Sequence, residues 1–124
     1  MSILSKIKNI FAPRYEPLVC KPADVFELIR ECVDINAPLC RLVVEINGKP
    51  YKIGVTCDYN SRTKQIFDIA FYFDDNEFPT LEKLIEKAET EGVRVAAIET
   101  ITVLEDEDSG DPRNNVLLSD REIK

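Results

Sequence analysis

Residues 40–59, CRLVVEINGKPYKIGVTCDY, followed by residues 65–73, QIFDIAFYF, decide the fold. Leu42, Val44 and Ile46 alternate with Arg41, Val43 and Glu45. Asn47-Gly48 follows, a dipeptide in which both residues tolerate positive φ, and so a strong hairpin signal. Pro50 is expected to lengthen that turn. Tyr51, Ile53, Val55, Cys57 and Tyr59 then alternate with Lys52, Gly54, Thr56 and Asp58. A period of two with one apolar phase is the pattern of a strand that buries one face. After a polar turn at 60–64, residues 65–73 are rich in aromatic and β-branched side chains. Phe67, Ile69, Phe71 and Phe73 are expected on one face, and Ile66, Ala70 and Tyr72 with Asp68 on the other. A strand apolar on both sides belongs in the middle of a sheet or against a partner.

Three strands joined by short turns pair as an antiparallel meander, and its single oily face needs a helical cover. Residues 22–33 supply one helix. Pro22 suits a first turn, and Val25, Phe26, Ile29, Cys32 and Val33 form an apolar stripe. Residues 80–91 supply another, with Thr80 as N-cap, Leu81, Leu84, Ile85 and Ala88 facing inward, and Gly92 as the stop. Residues 93–104 read as a long strand with a bend near Ile98–Glu99, and 116–118 as a further short edge strand. The fold class is therefore α+β. Its order is α-α-β-β-β-α-β with one optional extra strand, forming an antiparallel meander of four to five strands with helices on one face.

The domain plan follows from the prolines. Residues 1–11 form an amphipathic helix in which Ile3, Leu4, Ile7, Ile10 and Phe11 share a face beside Lys6 and Lys8. Pro13 and Pro17 make residues 12–17 a linker. Residues 18–118 are one α+β domain, and 119–124 are expected to fray. A chain of 124 residues fits this single-domain plan.

Composition removes several function classes. With no His, the commonest general base and the commonest metal ligand are missing. The net charge is −7, and the excess of positive charge before residue 22 leaves an acidic body that repels phosphate backbones. Direct nucleic-acid binding is not expected, and basic partners are favoured. Cys20, Cys32, Cys40 and Cys57 have wide, irregular intervals unlike paired zinc ligands. With no signal-peptide pattern at the N-terminus, they are expected to be reduced thiols in a cytoplasmic protein, with two disulfides as the alternative. Residues 105–111, EDEDSGD, fail as a calcium loop. Counting from Asp106, Gly110 and Asp111 stand at the fifth and sixth positions, where a ligand and then Gly are needed. No glycine motif cradles a nucleotide phosphate. No metal and no cofactor are expected.

The remaining expectation is a small acidic, non-catalytic interaction or regulatory module whose partner is another protein or a homodimer mate. Its interface candidates are Ile66, Ala70 and Tyr72 on the third strand and Ile3, Ile7 and Phe11 on the first helix. One alternative is a small enzyme. It would use Cys20, beside Lys21 at a helix start where the dipole favours a thiolate, or the carboxylates Asp58 and Asp68. Another is a peripheral membrane protein held weakly by the first helix.

Overall fold

The computed structural model describes residues 15–123. Its elements in chain order are β1 (Leu18–Cys20), α1 (Pro22–Asp34), β2 (Cys40–Ile46), β3 (Lys49–Asn60), β4 (Gln65–Phe73), β5 (Asn76–Phe78), α2 (Leu81–Lys87), β6 (Glu89–Thr90), β7 (Val93–Arg94), β8 (Ile101–Asp106) and α3 (Val116–Ser119). Two 3-10 turns, Val95–Ala97 and Pro112–Asn114, lie between them. Six strands form one antiparallel sheet in the order β1-β8-β2-β3-β4-β5, and β6-β7 is a separate small hairpin. The amphipathic helix expected at 1–11 lies outside the described residues.

The meander stands as expected, and its first turn is tighter than expected. Ile46 pairs directly with Lys49, so Asn47 and Gly48 alone make the turn, at φ 53° and 78°. Pro50 does not lengthen it. The Lys52 N–H points away from β2 to the Asp74 carboxylate at 2.8 Å. Two residues earlier on the same strand, the Pro50 nitrogen points the same way. Pairing with β4 begins only at Ile53, so the missing donor breaks no ladder bond.

The core lies on one side of the sheet. Leu42 and Val44 of β2, Ile53 and Val55 of β3, Phe71 and Phe73 of β4, and Ile101 and Val103 of β8 pack with Val25, Phe26, Leu28 and Ile29 of α1 and Leu81 and Leu84 of α2. Helix α1 ends in a Schellman motif. Ala37 N–H donates to Cys32 O at 2.9 Å, Asn36 N–H to Val33 O at 3.0 Å, and Asn36 takes φ 61°. The Thr80 hydroxyl caps α2 by accepting from Lys83 N–H at 3.1 Å.

Elsewhere the structure departs from the sequence reading. The sheet has six strands rather than four or five, because β1 and β5 were not foreseen, and β8 inserts between β1 and β2. Helix α2 stops at Lys87 instead of running to 91, because Glu91 and Gly92 turn back at φ 52° and 78° and pair Thr90 with Val93. Gly92 thus serves a hairpin rather than a helix end. The long strand expected over 93–104 is split by the 3-10 turn that starts at Val95. Residues 116–118 are helical, capped by Asn115, whose side chain accepts from Leu118 N–H. The end of the chain, expected to fray, is tied down as far as residue 123. Ile123 N–H donates to Val19 O at 2.8 Å, Arg121 reaches Asp24 at 3.3 Å and Glu31 at 2.6 Å, and Glu122 pairs with Arg113.

Candidate functional site

Unequal strand lengths create the most distinctive surface. β2 is 7 residues long and β3 is 12. Cys40, the first residue of β2, pairs with Val55. Past that point β3 has no β2 neighbour. On the other side, β5 covers only Phe71–Phe73 of β4. Residues 56–60 and 65–70 therefore pair only with each other, as a two-stranded arm. Its tip is closed by the Asn60 side-chain oxygen, which accepts from Arg62 N–H at 2.9 Å and Thr63 N–H at 3.2 Å.

The arm carries a bulge. Thr56 pairs with Ala70, but Asp58 pairs with Phe67, so Asp68 and Ile69 together oppose Cys57. Asp68 adopts φ 52°, the left-handed geometry of a bulge's first residue. The extra residue changes the face assignment. Ile66, opposite Tyr59, carries on the core face together with Cys57 and Ile69, while Phe67, opposite Asp58, turns to the outer face. Phe67 therefore does not share a face with Ile69, Phe71 and Phe73, and Ile66 does not share one with Ala70 and Tyr72.

The oily face of the sheet thus runs outward onto the arm, where side chains are exposed. Tyr59 is 57% and Ile69 42% exposed, and Phe67 on the reverse side is 46% exposed. The connection from α1 into β2 adds Ile35 at 67% and Leu39 at 50%. Leu39 directly precedes Cys40, so this connection enters the sheet at the end from which the arm projects. An open groove of about 290 Å³, lined by Arg30, Val33, Asp34, Phe71, Pro79 and Leu81, joins this strip, since Phe71 is the next core-facing residue after Ile69. Large solvated apolar surfaces of this kind mark places where another molecule is covered or held.

The residues singled out from sequence fall in different places. Ile66 lies on the strip and is half-buried. Ala70 and Tyr72 lie on the opposite, outer face, both half-buried. Burial, and then the charge of Glu107, pushes the Tyr72 phenol up to about 12. Ile3, Ile7 and Phe11 lie outside the described residues, as does the membrane-binding reading that rests on them. Alternation alone sets Tyr59 and Ile69 on apolar strand faces, and Ile35 and Leu39 carry no sequence signal of their own. The signal that could have found them is arithmetic. Counting outward from the Asn47-Gly48 turn pairs Cys40 with Val55 and leaves the rest of β3 without a neighbour.

The residues of the catalytic alternatives lie in two separate places. Cys20 is fully buried, and burial followed by the charge of Asp24 pushes its thiol up to about 12. Its sulfur is part of the hydrophobic core. Asp58 and Asp68 line an open depression with Thr56, Ala70 and Glu77, and both are exposed. The acidic run after β8 is consumed by the protein itself. Asp106 is buried and accepts from Asp108 N–H at 2.9 Å, Ser109 N–H at 3.3 Å and the Asn115 amide at 3.3 Å. Asp108 holds Arg41 at 2.6 Å, and Glu107 faces Lys52 at 3.8 Å. Among the described residues, no cluster of His, Cys, Asp and Glu could hold a metal ion. No helix among them is long and apolar enough to cross a membrane.

No family model, curated protein or solved structure matches this chain. The functional reading accordingly rests on the chain's own geometry.

Proposed function

We propose that this protein is a non-catalytic interaction module that holds an apolar segment of another protein chain along the arm and its adjoining groove. The observation that carries the reading is the continuation of the core face past the helices, ending in exposed Tyr59 and Ile69. Full burial of an exposed large aliphatic or aromatic side chain gives about 1.5–3 kcal/mol, and these half-exposed ones gain a corresponding fraction each. That is enough to drive association once a partner covers several of them. The acidic balance of the chain favours a partner segment flanked by basic residues and disfavours nucleic acid. The four cysteines are free thiols, which supports a reducing, cytoplasmic setting. Edge pairing by the arm's backbone is a weaker source of affinity, because the Asp68 bulge twists and charges that edge.

The test replaces Tyr59 and Ile69 together by Lys and places a photo-cross-linking residue at Ile66, which lies on the same face of the arm. Both replaced side chains are exposed, so the thermal midpoint should stay close to that of the wild type. The wild-type chain should give a specific adduct, either with a second protein or with a second copy of itself, and the double variant should lose it. A wild-type chain that is strictly monomeric, with the same cross-linked products as the double variant in an extract of its host, defeats the proposal.

A further inference from the structure

We propose that the apolar strip on the arm is an intramolecular docking face for this chain's own residues 3–11, which cover it until a partner displaces them. The inference rests on the reading of the strip as a surface that holds apolar chain. The segment has the matching chemistry. Ile3, Leu4, Ile7, Ile10 and Phe11 supply apolar side chains, and Lys6, Lys8 and Arg14 give residues 1–14 a charge of +3 with no acidic residue among them. With a net charge of −7 for the whole chain, the remaining residues carry −10. Asp34 and Glu82 line the groove end of the strip, whereas Arg62 and Lys64 stand at the tip of the arm. The cations of the segment therefore belong at the groove end, where the field attracts them.

The position of Tyr15 brings the segment within reach. The Tyr15 ring lies against Gly110, where a Cβ would stand 3.0 Å from the phenol oxygen. Gly110 bridges to Asp106, and Asp106 pairs with Leu42 near the start of β2. Arg113 fixes the backbone that follows, donating to Glu16 O at 2.6 Å and to Pro17 O at 3.4 Å. The chain thus enters β1 at the end of the sheet from which the arm projects, with β8 and β2 standing between β1 and β3. Leu42 pairs with Ile53 and Ile53 with Phe73, so Tyr15 and Phe73 stand at the same level. Four strand spacings separate β1 from β4, about 19 Å, and Ile69 lies about 13 Å beyond Phe73, so the line from Tyr15 to Ile69 is about 23 Å. Residues 11–15, extended, span about 14 Å. The step from Phe11 to Ile3 adds about 12 Å even at the short rise of a helix. The path runs past the exposed Ile35 and Leu39. A tether this short holds the segment at an effective concentration in the millimolar range. Contacts too weak to retain a free peptide then cover the strip for part of the time, and a partner that binds more tightly displaces the segment.

The experiment places a photo-cross-linking residue at Ile66 in the full chain and irradiates an equal mixture of isotopically light and heavy protein, with the adducts mapped by mass spectrometry. The expected product joins position 66 to residues 3–11 within one chain, so its isotope composition is uniform. Ile7→Asp with Phe11→Asp should lower its yield at least about tenfold through the loss of two apolar contacts. Tyr59→Lys with Ile69→Lys should remove the product from the other side of the contact. In an extract of the host, the Asp variant should give more partner adduct than the wild type, because its strip is uncovered. The proposal is overturned by an internal yield that the Asp variant leaves unchanged, by adducts of mixed isotope composition, which would make a second copy the occupant, or by the lack of any adduct to residues 3–11. The two readings fail separately. A partner adduct that the Lys variant abolishes, in a chain without the internal product, would leave the strip as a partner surface and remove only its own segment from it.

Discussion

At the scale of single residues, two glycines stand in the sheet and hairpin for opposite reasons. Gly54 has no unusual φ, yet a Cβ there would meet the Cys40 carbonyl oxygen at 1.9 Å, its carbon at 2.9 Å and the Arg41 Cα at 3.2 Å. All three are backbone atoms of the central pair, so nothing flexible can give way. Gly92 has open space around it and a φ of +78°, so only its backbone conformation penalises a side chain. Gly54→Ala is expected to cost about 3 kcal/mol, the upper end of overpacking penalties. Gly92→Ala is expected to cost about 1–2 kcal/mol from the left-handed backbone alone. Urea unfolding of the two variants checks the ranking, and an equal or smaller loss for Gly54→Ala would deny the close approach of β2 to β3. The sequence marks Gly48 as a turn residue and Gly92 as a helix stop through their neighbours, but Gly54 sits in a clean alternation and carries no local mark. A requirement set by the strand alongside cannot be read from the strand itself.

At the scale of elements, strong local periodicity was legible and pairings set at a distance were not. β2, β3 and β4 were readable because alternation and turn chemistry agree within a few residues of each other. Helix α1 was readable from its stripe and from Pro22. β5 and β6 were not, since Asn76–Phe78 and Glu89–Thr90 are too short for any period and exist only through their partners. The bulge hid the candidate site in the same way. Regular alternation through β4 places Phe67 with Ile69, whereas one extra residue moves it to the opposite face. Removing Asp68 is expected to leave the fold intact. Thr56 keeps Ala70, Cys57 meets Ile69, and Asp58 keeps Phe67, so every remaining side chain stays on its present face in a regular ladder. The deletion also removes a non-glycine residue at positive φ, so the thermal midpoint should equal or exceed that of the wild type. A clear fall in the midpoint, read by circular dichroism, would mean that the bulge is required by the arm's curvature.

Across the whole molecule, the helices and the sheet do not have the same footprint. α1 and α2 cover the face made by β1, β8, β2 and the inner parts of β3 and β4, where Leu42, Val44, Ile53 and Val103 are fully buried. The arm extends beyond that cover with only its own cross-strand bonds, and isolated two-stranded ribbons are marginal in water. Opening of the arm should therefore require far less free energy than global unfolding, in keeping with the uneven stability of folded chains. Native-state hydrogen exchange measures this directly. Amides of 56–60 and 65–69 should exchange at least about tenfold faster than those of Leu42–Val44 and Val103, a difference of about 1.4 kcal/mol or more in opening free energy. Adding saturating partner, or raising the chain concentration if the partner is a second copy, should slow the arm and leave the core amides nearly unchanged. The double lysine variant at Tyr59 and Ile69 should keep the fast arm under both conditions. Arm amides as protected as the core in dilute, monomeric protein would mean that the strip is already stabilised within one chain and has no need of a partner to cover it.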